Sequence, residues 1–127
     1  MQPLLRFITA AALLACVAPA PAHDPSAWGG LFRSRDDGAS WLSADAGHFV
    51  GAALAVAVSP TDANHLLYAT DTRLLRSRNA GRDWVPEAPQ LFHGPTLAVA
   101  FAADGKGAWA ATPAGVFVAD HEFAWRK

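Results

Sequence analysis

The chain has 127 residues, 52% of them hydrophobic and 17% charged, and a formal net charge of −1 at pH 7. That balance offers no electrostatic reason to expect a nucleic acid or an anionic membrane as partner. Cys16 is the sole cysteine, so no disulfide can form within one chain.

Residues 1–22 read as a secretory signal. Arg6 is the lone positive charge of a short n-region, and 7–18 is an apolar run of signal-core length. The run is too short to persist as a spanning helix, and Ala20-Pro21-Ala22 supplies an A-x-A cleavage site. The signal helix is expected over 4–15 before cleavage. A rival site is Leu13-Leu14-Ala15-Cys16, a lipobox-like stretch in which Cys16 would be lipidated and anchor the protein. Either route implies export, to the periplasm or beyond, and no later segment is long and apolar enough for a transmembrane helix. Cleavage before His23 removes Cys16 and leaves a domain, 23–127, that its core alone must hold. His23 at a new N-terminus could chelate copper with a second histidine, but His48, His65, His93 and His121 show no ligand spacing. They read as surface or turn histidines, and no cofactor or metal is expected.

Asp24 to Gly29 is a polar lead-in, with Trp28 expected to pack early. A first hairpin follows over 30–34 and 40–43, then a loop through Ala46, Gly47 and Gly51. Leu54-Ala55-Val56-Ala57-Val58 alternates large and small apolar residues with period two and predicts a deeply buried strand, its alanines letting another sheet approach. Turn chemistry at 59–64 leads to strands at Leu66–Thr70 and Leu74–Ser77, and Trp84 opens a fourth. Pro86, Pro89 and Pro95 punctuate a linking loop. The pattern then restarts: Leu97-Ala98-Val99-Ala100-Phe101 matches 54–58 at a distance of 43 residues, followed by a turn at Asp104-Gly105 and strands at Ala108–Thr112 and 116–119. No helix is indicated after the signal.

Two stretches punctuate this order. Ser34-Arg35-Asp36-Asp37-Gly38-Ala39-Ser40-Trp41 fits S-x-D-x-G-x-x-W, and Ser77-Arg78-Asn79-Ala80-Gly81-Arg82-Asp83-Trp84 returns it 43 residues later with Asn in place of Asp. From Leu31 to Trp41 and Leu74 to Trp84, six of eleven positions are identical. Each reads as a hairpin corner. Asp36 or Asn79 can accept bonds from backbone N–H groups ahead of it. Gly38 and Gly81 can take positive φ. Trp41 and Trp84 then open the return strand and carry an indole into the core. A third copy starts at 116–120 but lacks the glycine, and Trp125 arrives one residue early.

These motifs resemble the Asp box, or BNR repeat, of β-propellers such as sialidases, sortilin-type receptors and exported photosystem II stability/assembly factor-like proteins. Ser34, Asp36, Gly38 and Trp41 fill all four family positions; Ser77, Gly81 and Trp84 fill three. A period of this length marks repeat architectures. The resemblance covers about 28–127 and implies an all-β chain, a partial propeller of four-stranded antiparallel blades, with pieces at about 28–45, 53–86 and 97–127. It also implies a structural role for the Asp box on the outer hairpins, so Asp36 is expected to cap a turn and not to act as a catalytic acid.

About two and a half blades are fewer than the four a closed propeller needs. Two open apolar faces should follow, inviting association with further copies. Three accounts cover the shortfall: a piece of a longer propeller, a ring of several copies, or a short stack standing alone. The first functional reading is a non-catalytic binding or assembly module that presents its loops to a protein or glycan. The second is a fragment of a sialidase-like glycosidase, a class outside the usual two-carboxylate scheme. Tyr68, the sole tyrosine, sits mid-strand, where core packing is expected, and Glu87 and Glu122 are the only glutamates, Glu87 reading as solvated between prolines. Arg73, Arg76, Arg78 and Arg82 read as a solvated face. The third is a remnant without independent function. No phosphate-binding, zinc, nucleophile-elbow or calcium-loop motif is present, and Gly105-Lys106-Gly107 reads as a turn.

Overall fold

The computed structural model describes residues 30–44 and 52–127. The signal segment 1–22 with Cys16, the new terminus His23, Trp28 and the loop holding Ala46, Gly47, His48 and Gly51 lie outside the described residues.

The described residues are all-β and contain no helix. A two-stranded hairpin joins β1 (Phe32–Arg33) to β2 (Leu42–Ser43), with Phe32 opposite Ser43. A four-stranded sheet then runs as an antiparallel meander through β3 (Ala53–Val58), β4 (Leu66–Thr70), β5 (Leu74–Ser77) and β6 (Val85–Pro86). A second meander holds β7 (Ala98–Phe101), β8 (Ala108–Thr112), β9 (Gly115–Ala119) and β10 (Trp125–Arg126). Strand order follows chain order in both, as tight turns between period-two segments require.

The two four-stranded sheets stack face to face, with β3 against β7. In the middle sheet, register puts Val56, Tyr68 and Leu75 on one face, toward the β1–β2 hairpin, and Ala57, Leu67 and Arg76 on the other. The first face packs Tyr68, Leu75 and Trp84 against Leu31. The second packs Leu67, Ala69 and Leu74 onto Ala108, Ala110, Phe117 and Ala119 of the last sheet. Two apolar faces on one strand pair make a sheet buried on both sides. The alanines on β3, β4 and β8 allow the sheets to approach. Phe92 fills the gap from the linking loop, 2% exposed, its ring 5.3 Å from Phe117 and 5.0 Å from Trp125. That plug was legible only as an apolar pair, Leu91-Phe92, among prolines.

Strand 54–58 departs from expectation. Leu54, Val56 and Val58 are exposed, and only the alanine side meets the other sheet. Alternation of large and small apolar residues cannot reveal whether both faces are covered. The described part of the first hairpin packs on Tyr68, Leu75 and Trp84, and between it and β3 lies an apolar groove that Val56 and Val58 line with Leu31 and Phe32.

Candidate functional site

The corner at 34–41 is closed by side chains. Ser34 Oγ accepts from the N–H of Asp36 at 3.2 Å and of Gly38 at 2.7 Å. Asp36 accepts from Ser40 N at 2.8 Å, Ser40 Oγ at 2.5 Å and Ser34 Oγ at 2.8 Å. Those donors, led by the Ser40 hydroxyl, hold the Asp36 carboxyl below its usual range. Asp37 and Gly38 take φ of 54° and 91°.

The corner at 77–84 repeats the pattern with one exchange. Ser77 Oγ accepts from Asn79 N at 3.3 Å and Gly81 N at 2.9 Å, and Ala80 and Gly81 take φ of 58° and 74°. Asn79 Oδ1 accepts from Asp83 N at 2.8 Å, while its amide donates to Asp83 Oδ2 at 2.6 Å. Where the partner is the hydroxyl donor Ser40, the motif residue is a carboxylate. Where the partner is the carboxylate Asp83, it is an amide. The Asn at 79 is thus matched to its neighbour.

The corner after β9 reaches the same end with other residues. Asp120 Oδ1 accepts from Glu122 N and Ala124 N, each at 3.0 Å, the places served by serine oxygens in the other two. The Ala124 bond, first, holds the Asp120 carboxyl below its usual range. Phe123 supplies the positive φ, 62°, without a glycine. Asp120 therefore stands in for the serine and not for the aspartate, and β10 forms despite the lost glycine.

The three tryptophans differ. Trp84 is 4% exposed and donates its indole N–H to the carbonyl of Ala44 in the hairpin before it. Trp125 donates to Glu87 Oε1 at 2.9 Å. Ala44 and Glu87 lie 43 residues apart, so each indole reaches the residue just past the previous return strand. Trp41 is 63% exposed, against the expectation that it enters the core. The sheet that would lie before it is not among the described residues.

Glu87 corrects a second reading. It is buried, not solvated, at 4% exposure, with Oε2 2.7 Å from Arg76 Nε in an ion pair and Oε1 on Trp125. The Nε–H is not aligned on the carboxylate, so charge attraction carries the contact more than a directed hydrogen bond. Arg76 accordingly leaves the proposed solvated arginine face. Arg76 and Arg78 lie 5.6 and 5.7 Å from the centre of the Phe123 ring. His65 is likewise buried, not a surface residue, between Phe101 at 4.8 Å and Phe123 at 4.6 Å. Burial first, then Arg78 and Arg76, pushes its pKa down from 6.5 to about 4. Tyr68 is fully buried, as expected of a mid-strand aromatic.

At the opposite end of the sheets from these corners, the β4–β5 and β8–β9 turns meet the linking loop. Thr70 Oγ1 accepts from Thr72 N and Arg73 N, and Thr112 Oγ1 accepts from Ala114 N, so a threonine pins each turn. Two adjoining clefts of about 200 and 290 Å³ share Phe92 and His93; Thr112 and Pro113 line one, Thr72 and Arg73 the other. Arg73 and His93 are exposed there. Sequence reasoning marked this stretch only as a loop. Among the described residues no group of histidine, cysteine, aspartate or glutamate could hold a metal ion, and no helix is long and apolar enough to cross a membrane.

No protein-family model matches the chain, and no curated protein and no solved structure does either.

Proposed function

We propose that the protein is an exported Asp-box propeller-type segment acting as a non-catalytic binding or assembly module. Each four-stranded sheet is one blade in this reading, and the tryptophan corners are its outer hairpins. The observation that carries it is the division of labour between the two ends of the sheets. At the corner end, the polar motif residues are consumed by turn closure. At the linking-loop end, Arg73 and His93 stand exposed around two adjoining clefts. A cation and an imidazole beside a shallow apolar floor suit a glycan or a polar protein loop.

The glycosidase alternative needs a reachable tyrosine paired with a glutamate. Tyr68 is buried within the middle sheet, and Glu87 is engaged by Arg76 and Trp125. Both facts favour the binding reading.

The test is binding of the full chain to an array of neutral and acidic glycans and to proteins of the exported fraction of its own host. The Arg73→Ala/His93→Ala variant is run alongside. Loss of a wild-type interaction by about tenfold in the variant, on the order of 1.4 kcal/mol, supports the assignment. Binding that the variant leaves unchanged places the site elsewhere. Turnover of a fluorogenic sialoside, abolished by Tyr68→Phe, overturns the non-catalytic reading.

A further inference from the structure

The first hairpin and the middle sheet share a backbone frame but not an ion pair. Ala44 N donates to the Leu31 carbonyl at 2.7 Å, as Glu87 N does to the Leu74 carbonyl at 2.9 Å. Arg33 stands opposite Leu42, as Arg76 stands opposite Val85. Arg33 and Ala44 thus hold the places of Arg76 and Glu87, 43 residues earlier in the chain. In the middle sheet a Glu87 carboxylate oxygen lies 2.7 Å from Arg76 Nε. In the hairpin the residue at that place is an alanine, which carries no carboxylate.

Arg33 therefore bears a charge that no described carboxylate answers. Its Nη1 donates to the Ala80 carbonyl at 2.8 Å, which fixes the guanidinium against the second corner. Its Nε is buried with no hydrogen-bond partner, and it makes no ion pair among the described residues. Asp36 and Asp83, carboxylates of the two adjoining corners, are bound within their own turns. Burial first, then the charges of Arg35 and Arg82, holds the Arg33 pKa below its usual range. A guanidinium keeps its proton all the same, so the group that relieves it is an anion.

Arg33 and Ala44 both line the crevice of about 180 Å³ between the hairpin and the middle sheet. The rest of its lining is apolar, with Leu31, Phe32, Val56, Val58 and Leu66 as the large side chains. Phe32 is 47% exposed, and Val56 and Val58 stand exposed as well. One cationic anchor among hydrocarbon walls is the composition of a small-molecule site. The space admits a single narrow chain and not a helix of about 10 Å diameter.

We propose that this crevice binds a small amphipathic carboxylate, a short- to medium-chain aliphatic acid. Its carboxylate rests on Arg33 as Glu87 rests on Arg76, and its chain lies along Val56 and Val58. The planar guanidinium favours a carboxylate over a spherical anion. The site is separate from the clefts at the linking-loop end, so Arg73→Ala/His93→Ala leaves it unchanged.

The test is a titration of the full chain with butanoate, hexanoate, octanoate and octylamine, followed by calorimetry and by amide NMR shifts. Octanoate should bind once per chain and move the amides of Arg33, Ala44, Val56 and Val58. Affinity should rise roughly threefold per methylene from butanoate to octanoate. Octylamine, with the same tail and the opposite charge, should not bind. Arg33→Met keeps the apolar length without the charge and should weaken octanoate at least tenfold. Ala44→Glu supplies the carboxylate from within the chain and should block octanoate to the same degree. Near-UV circular dichroism checks folding, and Val56→Glu, at an exposed position, repels the anion if either variant fails to fold. A wild type without saturable octanoate binding overturns the proposal, and so does octylamine binding as well as octanoate. Binding that survives Arg33→Met and Ala44→Glu, or is lost in Arg73→Ala/His93→Ala, overturns it too. Tighter binding of N-acetylglutamate amide than of octanoate assigns the place to a protein side chain and likewise overturns it.

Discussion

The corners at 34–41 and 77–84 close the same turn with nearly the same atoms and yet hold their tryptophans in opposite states. In both, a serine oxygen gathers the N–H groups two and four residues ahead, and two consecutive residues take positive φ. Trp84 is buried and tied to Ala44, whereas Trp41 is 63% exposed. The turn is a local property, written in eight residues. The burial of the indole is a property of the sheet that precedes it, which no local pattern contains. Two corners closed alike are therefore expected to contribute unequally to stability.

The sharpest way to break the comparison is to delete each indole. Trp84→Ala should cost about 3–5 kcal/mol, the range for a buried aromatic truncated in a core. It also leaves the Ala44 carbonyl without its donor. Trp41→Ala should stay within about 0.5 kcal/mol, as for an exposed side chain with no special contact. Denaturant unfolding of both variants measures the difference. Equal losses would mean that something covers Trp41 in solution, and repeating the melt at lower protein concentration separates a second copy from an internal cause.

Next in size is the residue that receives the third indole. Glu87→Ala strips Arg76 of its partner and Trp125 of its acceptor at once. Breaking one side of a buried pair costs about 3–5 kcal/mol; Arg76 keeps some solvent contact, so about 3 is expected. Ala44→Gly should cost little, because there the acceptor is a backbone carbonyl that survives the change. If Glu87→Ala were as mild, the ion pair would be an incidental surface contact.

How far these features could be read beforehand follows from the same division. Strand positions, turn positions and the all-β class were legible, because hydrophobic period and turn residues act over a few neighbours. The turn-closing carboxylate at 36 was legible for the same reason, whereas the serine oxygens, which gather the N–H groups two and four residues ahead, were read only as motif positions. Val56 and Trp41 were misjudged because apolar identity reports what a side chain can bury, not whether a partner is present. Glu87 was misjudged because its neighbours in sequence are prolines, while its neighbours in space, Arg76 and Trp125, come from β5 and β10. The third copy was legible only as a degraded motif, because the turn there matches hydrogen-bond acceptors at a fixed reach, Asp120 Oδ1 taking the N–H groups of Glu122 and Ala124, and not the motif's letters.

The third corner carries a pH dependence the other two lack. His65 sits against Phe123 with a pKa lowered to about 4 from an ordinary 6.5. The unfolded chain therefore binds a proton between these values that the folded chain refuses, so stability falls as the pH falls from about 6.5 toward 4. Each pH unit crossed in that window is worth at most about 1.4 kcal/mol, and solvent near the ring screens part of it, so about 1–2 kcal/mol should be lost by about pH 4.5. Asp36 and Asp120 have lowered values too, so their contribution is present above the ordinary carboxylate range and is lost only at lower pH. The range above about pH 4.5 thus isolates the histidine. His65→Phe should flatten unfolding free energy across it; an unchanged slope would assign the acid sensitivity to another group.

The smallest effect tests the pairing rule that separates the first two corners. Asn79→Asp restores the motif letter found at 36 and should nonetheless destabilise. Asn79 now donates its amide to Asp83 at 2.6 Å. A carboxylate in its place sets two negative charges at hydrogen-bond distance, and both groups are near solvent, so the penalty is about 1 kcal/mol. Exchanging the partner as well, Asn79→Asp with Asp83→Ser, recreates the Asp36–Ser40 arrangement and should recover most of that loss. The reverse pair at the first corner, Asp36→Asn with Ser40→Asp, should be equally tolerated, while Asp36→Asn alone gives up the charged acceptor of three bonds. A double-mutant cycle at each corner gives the coupling directly. Coupling of the same sign and similar size at both would mean that the turn requires a donor matched to an acceptor and is indifferent to which strand arm supplies the charge. Coupling near zero at 79–83 would instead leave the asparagine unexplained and reduce the motif to its serine, its glycine and its indole.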